Sequence, residues 1–324
     1  MLILAAAFLL DILLGDPVYR LHPVRLLGHL IAWIEKILFR NGLSGFVGGG
    51  VLFAGSVTGA LGIFSVLTML WHIFPVAGFM VLVFVLYSCI GFMDMFRHAL
   101  PVQGALEAGD IDKARAHLQR IVGRDASQLD QEGIARAAVE SVAENFVDGF
   151  LAVVFWFAAG GFLAYAMGMP AAPVATGFAL VYRVVNTLDA MVGYQNERYK
   201  DFGTVSARAD DALNFIPARL SMPLIAVSAA LTGLKAFNGV KIGFRDRLNH
   251  VSPNAGHAES CVAGALGIRL GGPVPYSHKT VEKQWMGDPI DDITPGRIHH
   301  ACVLIFFAGW VAMLPTILIL GLFM

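Results

Sequence analysis

The stretch FVGGGVLFAGSVTGALGIFSVLTMLW (residues 46–71) decides the fold class, because it contains no charged side chain. About 20 apolar residues in a helix are enough to cross the hydrocarbon core of a bilayer, and this stretch is longer. Three more uncharged runs long enough to cross cover residues 73–93, 149–182 and 301–324. The sequence therefore predicts an all-α, polytopic integral membrane protein.

The composition favours the same class. Hydrophobic residues make up 56% of the 324 residues and charged residues only 15%, whereas soluble domains are usually about one quarter charged. The 23 Lys and Arg are balanced by 24 Asp and Glu, so the chain lacks the basic surplus that nucleic-acid binding requires. Cys89, Cys261 and Cys302 lie far apart in the sequence, and we expect them to be reduced rather than paired or zinc-bound.

The charged residues are concentrated in four polar segments, which we expect to be cytoplasmic helical elaborations of a single membrane domain, 1–324. Lys and Arg accumulate on the cytoplasmic side of membrane proteins. We therefore expect a multi-pass protein of the inner (cytoplasmic) membrane with its active site on the cytoplasmic side. The polar segments are residues 15–44, 96–148, 191–219 and 235–298.

Three apolar stretches need separate interpretation. Residues 1–14 lack the basic start of a signal peptide, so we expect a short retained helix. The run 149–182 is interrupted by MGMPAAP (167–173), whose prolines favour a turn, so it predicts two spans. Residues 220–234 are short and contain a proline. We expect a re-entrant or interfacial element there, with a simple crossing as the alternative.

The first polar motif joins DILLGDP (11–17) to HPVRLLG (22–28). An acid inside an apolar run is costly unless it is paired or faces a wet cavity, which makes Asp11 a functional candidate. The alternative is that Asp16 caps the next element and that His22 lies at the membrane interface.

The second motif, RAAVESVAENFVDG (136–149), repeats charged residues at a spacing of four. Acids at this spacing share a helix face and repel one another, so a cation should lie opposite them. Mg²⁺ held by carboxylates and a substrate phosphate is one solution, with Ser141 or Asn145 as a neutral neighbour. A solvated helix face is the alternative. The charged residues are Arg136, Glu140, Glu144 and Asp148.

The third motif, YRVVNTLDAMVGY (182–194), places three polar groups near the end of an apolar helix. Such groups are costly there unless they are used, either for function or for structural hydrogen bonds. They are Arg183, Asn186 and Asp189.

The fourth motif, SARADDALNFIPARL (206–220), is similar to the aspartate-rich helices that hold Mg²⁺ against a phosphate. Asp210 and Asn214 are four apart and share a face. Short acidic pairs also arise by chance. The charged residues are Arg208, Asp210, Asp211 and Arg219.

The fifth motif, NHVSPNAGHAESCVAGALGIRLGGP (249–273), combines a turn, a His/Glu cluster and several glycines. Glycines permit close approach of backbone N–H groups to phosphate, and Arg269 could add a bidentate contact. Close helix packing is the alternative reason for the glycines.

Taken in order, these five motifs resemble the signature blocks of the CobD/CbiB family, over about residues 10–290. The resemblance implies a membrane ligase, adenosylcobinamide-phosphate synthase, of the late cobalamin pathway. Such an enzyme joins a propionate carboxylate of adenosylcobyric acid, a corrinoid, to the amine of (R)-1-aminopropan-2-ol phosphate. It consumes ATP with Mg²⁺. Membrane lipid, and other late-pathway enzymes, are the further partners expected.

Amide formation of this kind needs metal ligands, cations for phosphate and a base for the ammonium group. The metal ligands predicted are Glu140, Glu144, Asp189, Asp210 and Asp211. The residues predicted to bind ATP are Arg183, Arg208, Arg269, Ser252, Asn254 and Gly256. The residues predicted to be catalytic are Arg25, on a phosphate, with His22, His257 or Glu259 taking the amine proton.

Two other classes remain open at this point. A membrane prenyltransferase-like enzyme also binds Mg²⁺ and diphosphate through acidic helices, and a transporter also carries acids within its spans. The sequence does not distinguish a phosphorylated amino alcohol from an unphosphorylated one.

Overall fold

The computed structural model describes residues 1–17, 19–123, 125–276, 279–281 and 284–323. It is almost entirely helical, which confirms the all-α prediction. The helices are α1 Leu2–Leu14, α2 Pro23–Arg40, α3 Phe46–Ile73, α4 Pro75–Cys89, α5 Phe92–Glu107, α6 Ile111–Leu118, α7 Gln131–Asn145, α8 Ala152–Met167, α9 Ala171–Val192, α10 Thr204–Leu231, α11 Ala236–Asp246, α12 Ala255–Leu266 and α13 Gly296–Phe323. A π-helical turn, Phe146–Leu151, lies between α7 and α8.

Four short strands form two antiparallel pairs between α12 and α13. The strands are β1 Leu270–Gly271, β2 Val274–Tyr276, β3 Lys279–Val281 and β4 Trp285–Met286. Leu270 lies opposite Met286 in the β1–β4 pair, and the β2–β3 pair joins Val274 to Val281.

Six helical segments are long and apolar enough to cross a membrane; five of them match the crossings that the uncharged runs predicted, and the sixth is Thr204–Leu231. They are Phe46–Trp71, Pro75–Glu107, Gln131–Met167, Ala171–Val192, Thr204–Leu231 and Gly296–Phe323. The break predicted in the run 149–182 is confirmed, because α8 ends at Met167 and Gly168 has a φ of +64°. Residues 2–14 form the short first helix that was predicted.

The prediction of a separate re-entrant element at residues 220–234 is wrong. Residues 220–231 are the second half of α10, which begins at Thr204 and contains both Pro217 and Pro223. The apolar run alone is too short to cross because α10 begins earlier, among the polar residues that precede the run. The whole helix, Thr204–Leu231, has spanning length. This favours the crossing that was left as the alternative.

The described residues group into two compact units. The first unit comprises residues 1–91, 152–214 and 315–324, and the second comprises residues 92–151 and 215–314. This grouping does not test the single membrane domain expected from the sequence, which stays a prediction.

The first unit has an apolar core around one face of α2. Close approach of the chain is required at α3, where a side chain on Gly49 would meet the carbonyl of Phe202. Because α3 and α9 are candidate spans, their packing here is stabilised by van der Waals contact and not by removal from water. The core residues are Leu27, Ile31, Leu38, Leu52, Val184, Leu188, Val192 and Phe202.

In the second unit α11 packs closely on α12. A methyl group on Gly264 would lie 2.6 Å from the carbonyl oxygen of Asn238, and the Asn238 amide donates to the Gly264 carbonyl at 2.7 Å. Small residues thus allow the two backbones to approach. For Gly264, the packing interpretation of the fifth motif is therefore the one that the structure favours.

Candidate functional site

A cavity of about 290 Å³ lies in the second unit, beside the loop that joins α11 to α12. Its lining combines residues from α7, the loop, α12 and the two strands of the β1–β4 pair with the residue before β4. The lining residues are Glu140, Leu248, Asn249, His250, Val251, Glu259, Gly271, Gln284 and Met286. Two predicted site residues, Glu140 and Glu259, are therefore brought to the same cavity.

The SPN turn of the fifth motif organises this loop. The Ser252 hydroxyl oxygen accepts the backbone N–H groups of Asn254 at 3.2 Å and Ala255 at 3.4 Å. Serine is a favoured residue for satisfying the N–H groups that a helix leaves unpaired at its start. Ser252 and Asn254, predicted to bind phosphate, thus lie at the start of α12.

His250 and Glu259 form the polar pair of the cavity. The backbone N–H of Ser252 donates to His250 Nδ1 at 3.0 Å, so a neutral His250 ring carries its proton on Nε2. That nitrogen lies 4.0 Å from Glu259 Oε1. Glu259 is only 2% exposed, and its position one helical turn after Ala255 brings the carboxylate back toward the loop.

Glu140 is held at the cavity by the strand β1. Its Oε1 accepts the backbone N–H of Gly271 at 2.8 Å. Gly271 has a φ of +74°, and a methyl group there would lie 2.5 Å from the Gln284 carbonyl oxygen. Only glycine suits this backbone position without strain, which explains one glycine of the motif.

Trp285, which the sequence analysis did not single out, lies between the lining residues Gln284 and Met286. The guanidinium groups of Arg136 and Arg269 lie 4.9 and 4.5 Å from the centroid of its ring, and the Asn249 side chain donates to its carbonyl at 2.9 Å. Arg269, predicted to bind phosphate, therefore stacks on an aromatic ring near the cavity. An isolated tryptophan in a polar stretch was the only available signal.

His257 lies in the first turn of α12 and is 2% exposed. Its Nδ1 is 3.2 Å from the carbonyl oxygen of Asn254. Burial lowers the pKa of His257, and the nearby Arg219 and Arg247 guanidinium groups lower it further. His257 is thus neutral at neutral pH. Gly256 serves close packing, because a methyl group there would lie 2.4 Å from the carbonyl oxygen of Arg247.

The prediction that Asp148 continues the i, i+4 row of charged residues in the second motif is wrong. Regular α-helix ends at Asn145, and Asp148 lies in the π-helical turn, where the spacing of hydrogen bonds changes from four to five residues. Asp148 therefore does not continue the i, i+4 row. Glu140 is half-buried, whereas Glu144 is exposed.

In the first unit, the third and fourth motifs meet in one hydrogen-bond network. Asp210 accepts the side-chain amide N–H groups of Asn186 at 3.3 Å and Asn214 at 2.9 Å. Tyr182 donates its hydroxyl to Asn214 Oδ1 at 2.9 Å, and Arg183 donates to Asn186 Oδ1 at 3.0 Å. Arg183 and Asn186 of the third motif therefore make structural hydrogen bonds, which was one of the two interpretations left open for that motif.

Arg183 also ties this network to α4. Its guanidinium donates to the carbonyl of Cys89 through Nε, at 2.9 Å, and through a second nitrogen. The remaining predicted residues of these motifs are less enclosed: Asp189 and Asp211 are half-buried, and Arg208 is exposed.

The first motif also lies in the first unit. His22 Nε2 is 2.8 Å from Asp16 Oδ1, so the two residues pair. His22 is buried and Arg25 is exposed. Asp11 is completely buried in α1.

A second cavity, of about 450 Å³, is lined by none of the predicted site residues. Its acid, Glu35, accepts a hydrogen bond from Arg198 at 2.7 Å and one from the Tyr199 hydroxyl at 3.0 Å. This carboxylate is therefore already used to join α2 to the segment before α10. The smaller cavity, which collects the motif residues, is the better site candidate.

Among the residues that the structure describes, no three His, Cys, Asp or Glu side chains are grouped so as to hold a metal ion. Mg²⁺ commonly takes one or two carboxylates and completes its shell with water and substrate phosphate. Glu140, a predicted metal ligand that lines the cavity, is a donor of that kind. The predicted metal ligands stay a prediction.

Comparison with known proteins gives one family. A family model described as CobD/CbiB protein matches residues 4–305. A cobalamin biosynthesis protein CobD of Pelobacter propionicus is 43% identical over 96% of this chain and 92% of its own length. A cobalamin biosynthesis protein CbiB of Salmonella choleraesuis is 41% identical over 97% and 96%. No solved structure matches the chain.

Proposed function

We propose, because this chain belongs to the CobD/CbiB family, that it forms an amide bond in cobalamin biosynthesis at the expense of ATP. The acid substrate is adenosylcobyric acid, the amine is (R)-1-aminopropan-2-ol phosphate, and the product is adenosylcobinamide phosphate. The observation that carries the proposal is the cavity at which Glu140, His250 and Glu259 meet.

The size of the cavity favours the small amine substrate over the corrinoid. At about 290 Å³ it is at the lower limit of ligand cavities, which run from about 300 to 1,000 Å³. A small amino alcohol phosphate fits such a volume, and a whole corrinoid does not. The corrinoid therefore presents only its propionate arm to the cavity.

Glu259 is the base in this proposal. An amine is protonated at neutral pH and attacks a carbonyl carbon only after losing that proton, so a carboxylate in a low-dielectric cavity is well placed to receive it. His250 Nε2 lies 4.0 Å from Glu259 Oε1, close enough for the imidazole to act on the carboxylate electrostatically but too far for a direct hydrogen bond. Of the three bases predicted from the sequence, Glu259 is the one that lines the cavity, which supports it in this role.

ATP with Mg²⁺ would supply the phosphoryl group that turns the carboxylate oxygen of the corrinoid into a leaving group. Glu140 is the carboxylate that would meet such a metal at the cavity, and Arg269, which stacks on the Trp285 ring, is a predicted phosphate ligand. The roles predicted for Glu144, Asp189, Asp210 and Asp211 as metal ligands, and for Arg25, Arg183 and Arg208 on phosphates, remain part of the proposal.

The protein is a multi-pass membrane protein, and we place its active site on the cytoplasmic side of the inner membrane because ATP and the amino alcohol phosphate are cytoplasmic. The Lys and Arg of residues 15–44 and 96–148, the second of which contains Glu140, agree with that side.

The test is a reaction with detergent-purified protein, adenosylcobyric acid, ATP, Mg²⁺ and the amino alcohol phosphate, followed by mass spectrometry of the corrinoid. We expect a product heavier by the amine minus one water, with ADP released, and no product when Mg²⁺ is chelated. Diphosphate release would indicate a prenyltransferase-like enzyme, and solute uptake into proteoliposomes without covalent change would indicate a transporter. Either result would overturn the proposal.

A further inference from the structure

Three cationic or basic groups converge at the start of α12, in the second unit. Arg219 lies in α10, Arg247 follows the last residue of α11, and His257 lies in the first turn of α12. Both arginines are half-buried and His257 is buried. None of the three lines the cavity, and none except His257 was among the predicted site residues.

Packing between helices brings these residues together. The Cys261 thiol of α12 contacts the Met222 carbonyl of α10 at 3.6 Å. Arg219 and His257 each lie about one turn before these contacting residues, so they lie on the facing sides of the two helices. Arg247 reaches the same place because its carbonyl oxygen packs against Gly256, the residue before His257.

The cluster carries positive charge that is not balanced within the described residues. Arg219 and Arg247 take part in none of the ion pairs that the structure describes, whereas Arg245, on the same helix end, pairs with Asp246 and Asp288. The guanidinium groups of Arg219 and Arg247 repel one another. Burial, together with these two groups, lowers the pKa of His257 and keeps its ring neutral. An anion between them would relieve this repulsion.

The donors for such an anion are present. Arg219 donates one N–H to the Phe215 carbonyl at 2.7 Å, and Arg247 donates one to the Phe244 carbonyl. A guanidinium has five N–H donors, so four remain on each. The start of α12, a helix of 12 residues, adds the positive end of its dipole to the same place.

We propose that Arg219, Arg247 and the first turn of α12 form a subsite for a phosphate group of a substrate. This deepens the proposed function and rests on it. The phosphate belongs either to the amino alcohol or to ATP, and the subsite would position that substrate beside the cavity, because Arg247 directly precedes the lining residue Leu248.

The experiment measures KM for the phosphorylated amine, the unphosphorylated amine and ATP in the wild type and in Arg219→Gln and Arg247→Gln. Loss of one charge-assisted contact to phosphate is expected to raise a KM by about 10- to 100-fold. A rise for the phosphorylated amine alone assigns the subsite to the amino alcohol, and a rise for ATP alone assigns it to the nucleotide. Unchanged KM values for both overturn the subsite.

Lys241→Gln is the matched control, since it removes one positive charge from an exposed position of α11. It should leave every KM unchanged. Should a glutamine variant fail to fold, Arg247→Lys keeps the charge and is expected to show an intermediate KM, whereas a wild-type KM in this variant and in Arg219→Lys counts against bidentate binding of phosphate.

A second measurement separates this proposal from the proposed function. Inorganic phosphate should raise the melting temperature of the wild type and of Lys241→Gln, and should raise it less in either arginine variant. If the wild type makes no amide yet shows this difference, the proposed function fails and the subsite stands. Equal stabilisation of all variants by phosphate overturns the subsite whatever the reaction.

Discussion

The two units use the same kinds of polar side chain in opposite ways. In the first, the Asp210 carboxylate accepts hydrogen bonds from the side-chain amides of Asn186 and Asn214, so polar groups of two helices satisfy one another. In the second, Glu259 and His250 face a cavity of about 290 Å³. Buried polar groups that satisfy one another hold helices together, whereas those at a cavity can exchange protons with a ligand.

The largest effect that follows from this contrast is on catalysis. Glu259→Gln keeps the size of the side chain and removes its ability to accept a proton at neutral pH, so amide formation should slow by about 100-fold or more. Product formation followed by mass spectrometry measures it, with the melting temperature as the check on folding.

Glu132→Gln, at an exposed position in the first turn of α7, is the control and should keep wild-type turnover. A Glu259→Gln variant that folds and turns over at the wild-type rate would remove Glu259 from the role of base, and with it the contrast between the two units.

The next effect is on stability, in the first unit. Asp210→Ala leaves the buried amide N–H groups of Asn186 and Asn214 without their acceptor, so the free energy of unfolding should fall by about 1–3 kcal/mol. Denaturant titration in detergent measures this loss. Asp201→Ala, at an exposed position, should cost much less. Equal effects of the two substitutions would show that the network does not stabilise the helices.

The smallest effect is a pH dependence in the second unit. The pKa of His257 is lowered from 6.5 by burial and by Arg219 and Arg247. Below about pH 6.5 the unfolded chain therefore takes up a proton at His257 before the folded chain does. The stability that this residue contributes is present above pH 6.5 and is lost as the pH falls.

Melting temperatures of the wild type and His257→Gln between about pH 7.5 and pH 5.5 provide the measurement, with these limits set about one unit either side of the ordinary pKa of 6.5. We expect the wild type to lose stability more steeply than the variant as the pH falls. Parallel curves would show that His257 titrates alike in the folded and unfolded chains, and that the charge imbalance of the second unit has no effect on it.

Local patterns account for most of what the sequence could predict. The break before α9 follows from the prolines of MGMPAAP (167–173), which can be read without knowing any neighbour. The contact between Asp210 and Asn214 follows from their spacing within one helix. Both predictions needed only the period of a helix.

The errors arose where a local pattern continued into a different local structure. The run 220–234 looked too short to cross a membrane because its helix starts earlier, among polar residues, at Thr204. The acidic stripe of the second motif ends early because a π-helical turn begins at Phe146. Neither the start of α10 among polar residues nor the π-helical turn can be recognised from hydropathy or from residue spacing.

By itself, the sequence determined a helical membrane protein, five of its six candidate spanning segments and its family resemblance, because apolar length, helical period and motifs are properties of consecutive residues. Only the tertiary structure decided which polar side chains lie close together in space. Glu140 and Gly271 lie 131 positions apart in the chain, and Trp285 meets Arg136 across a similar distance. Such contacts depend on how helices pack, and no periodicity encodes them.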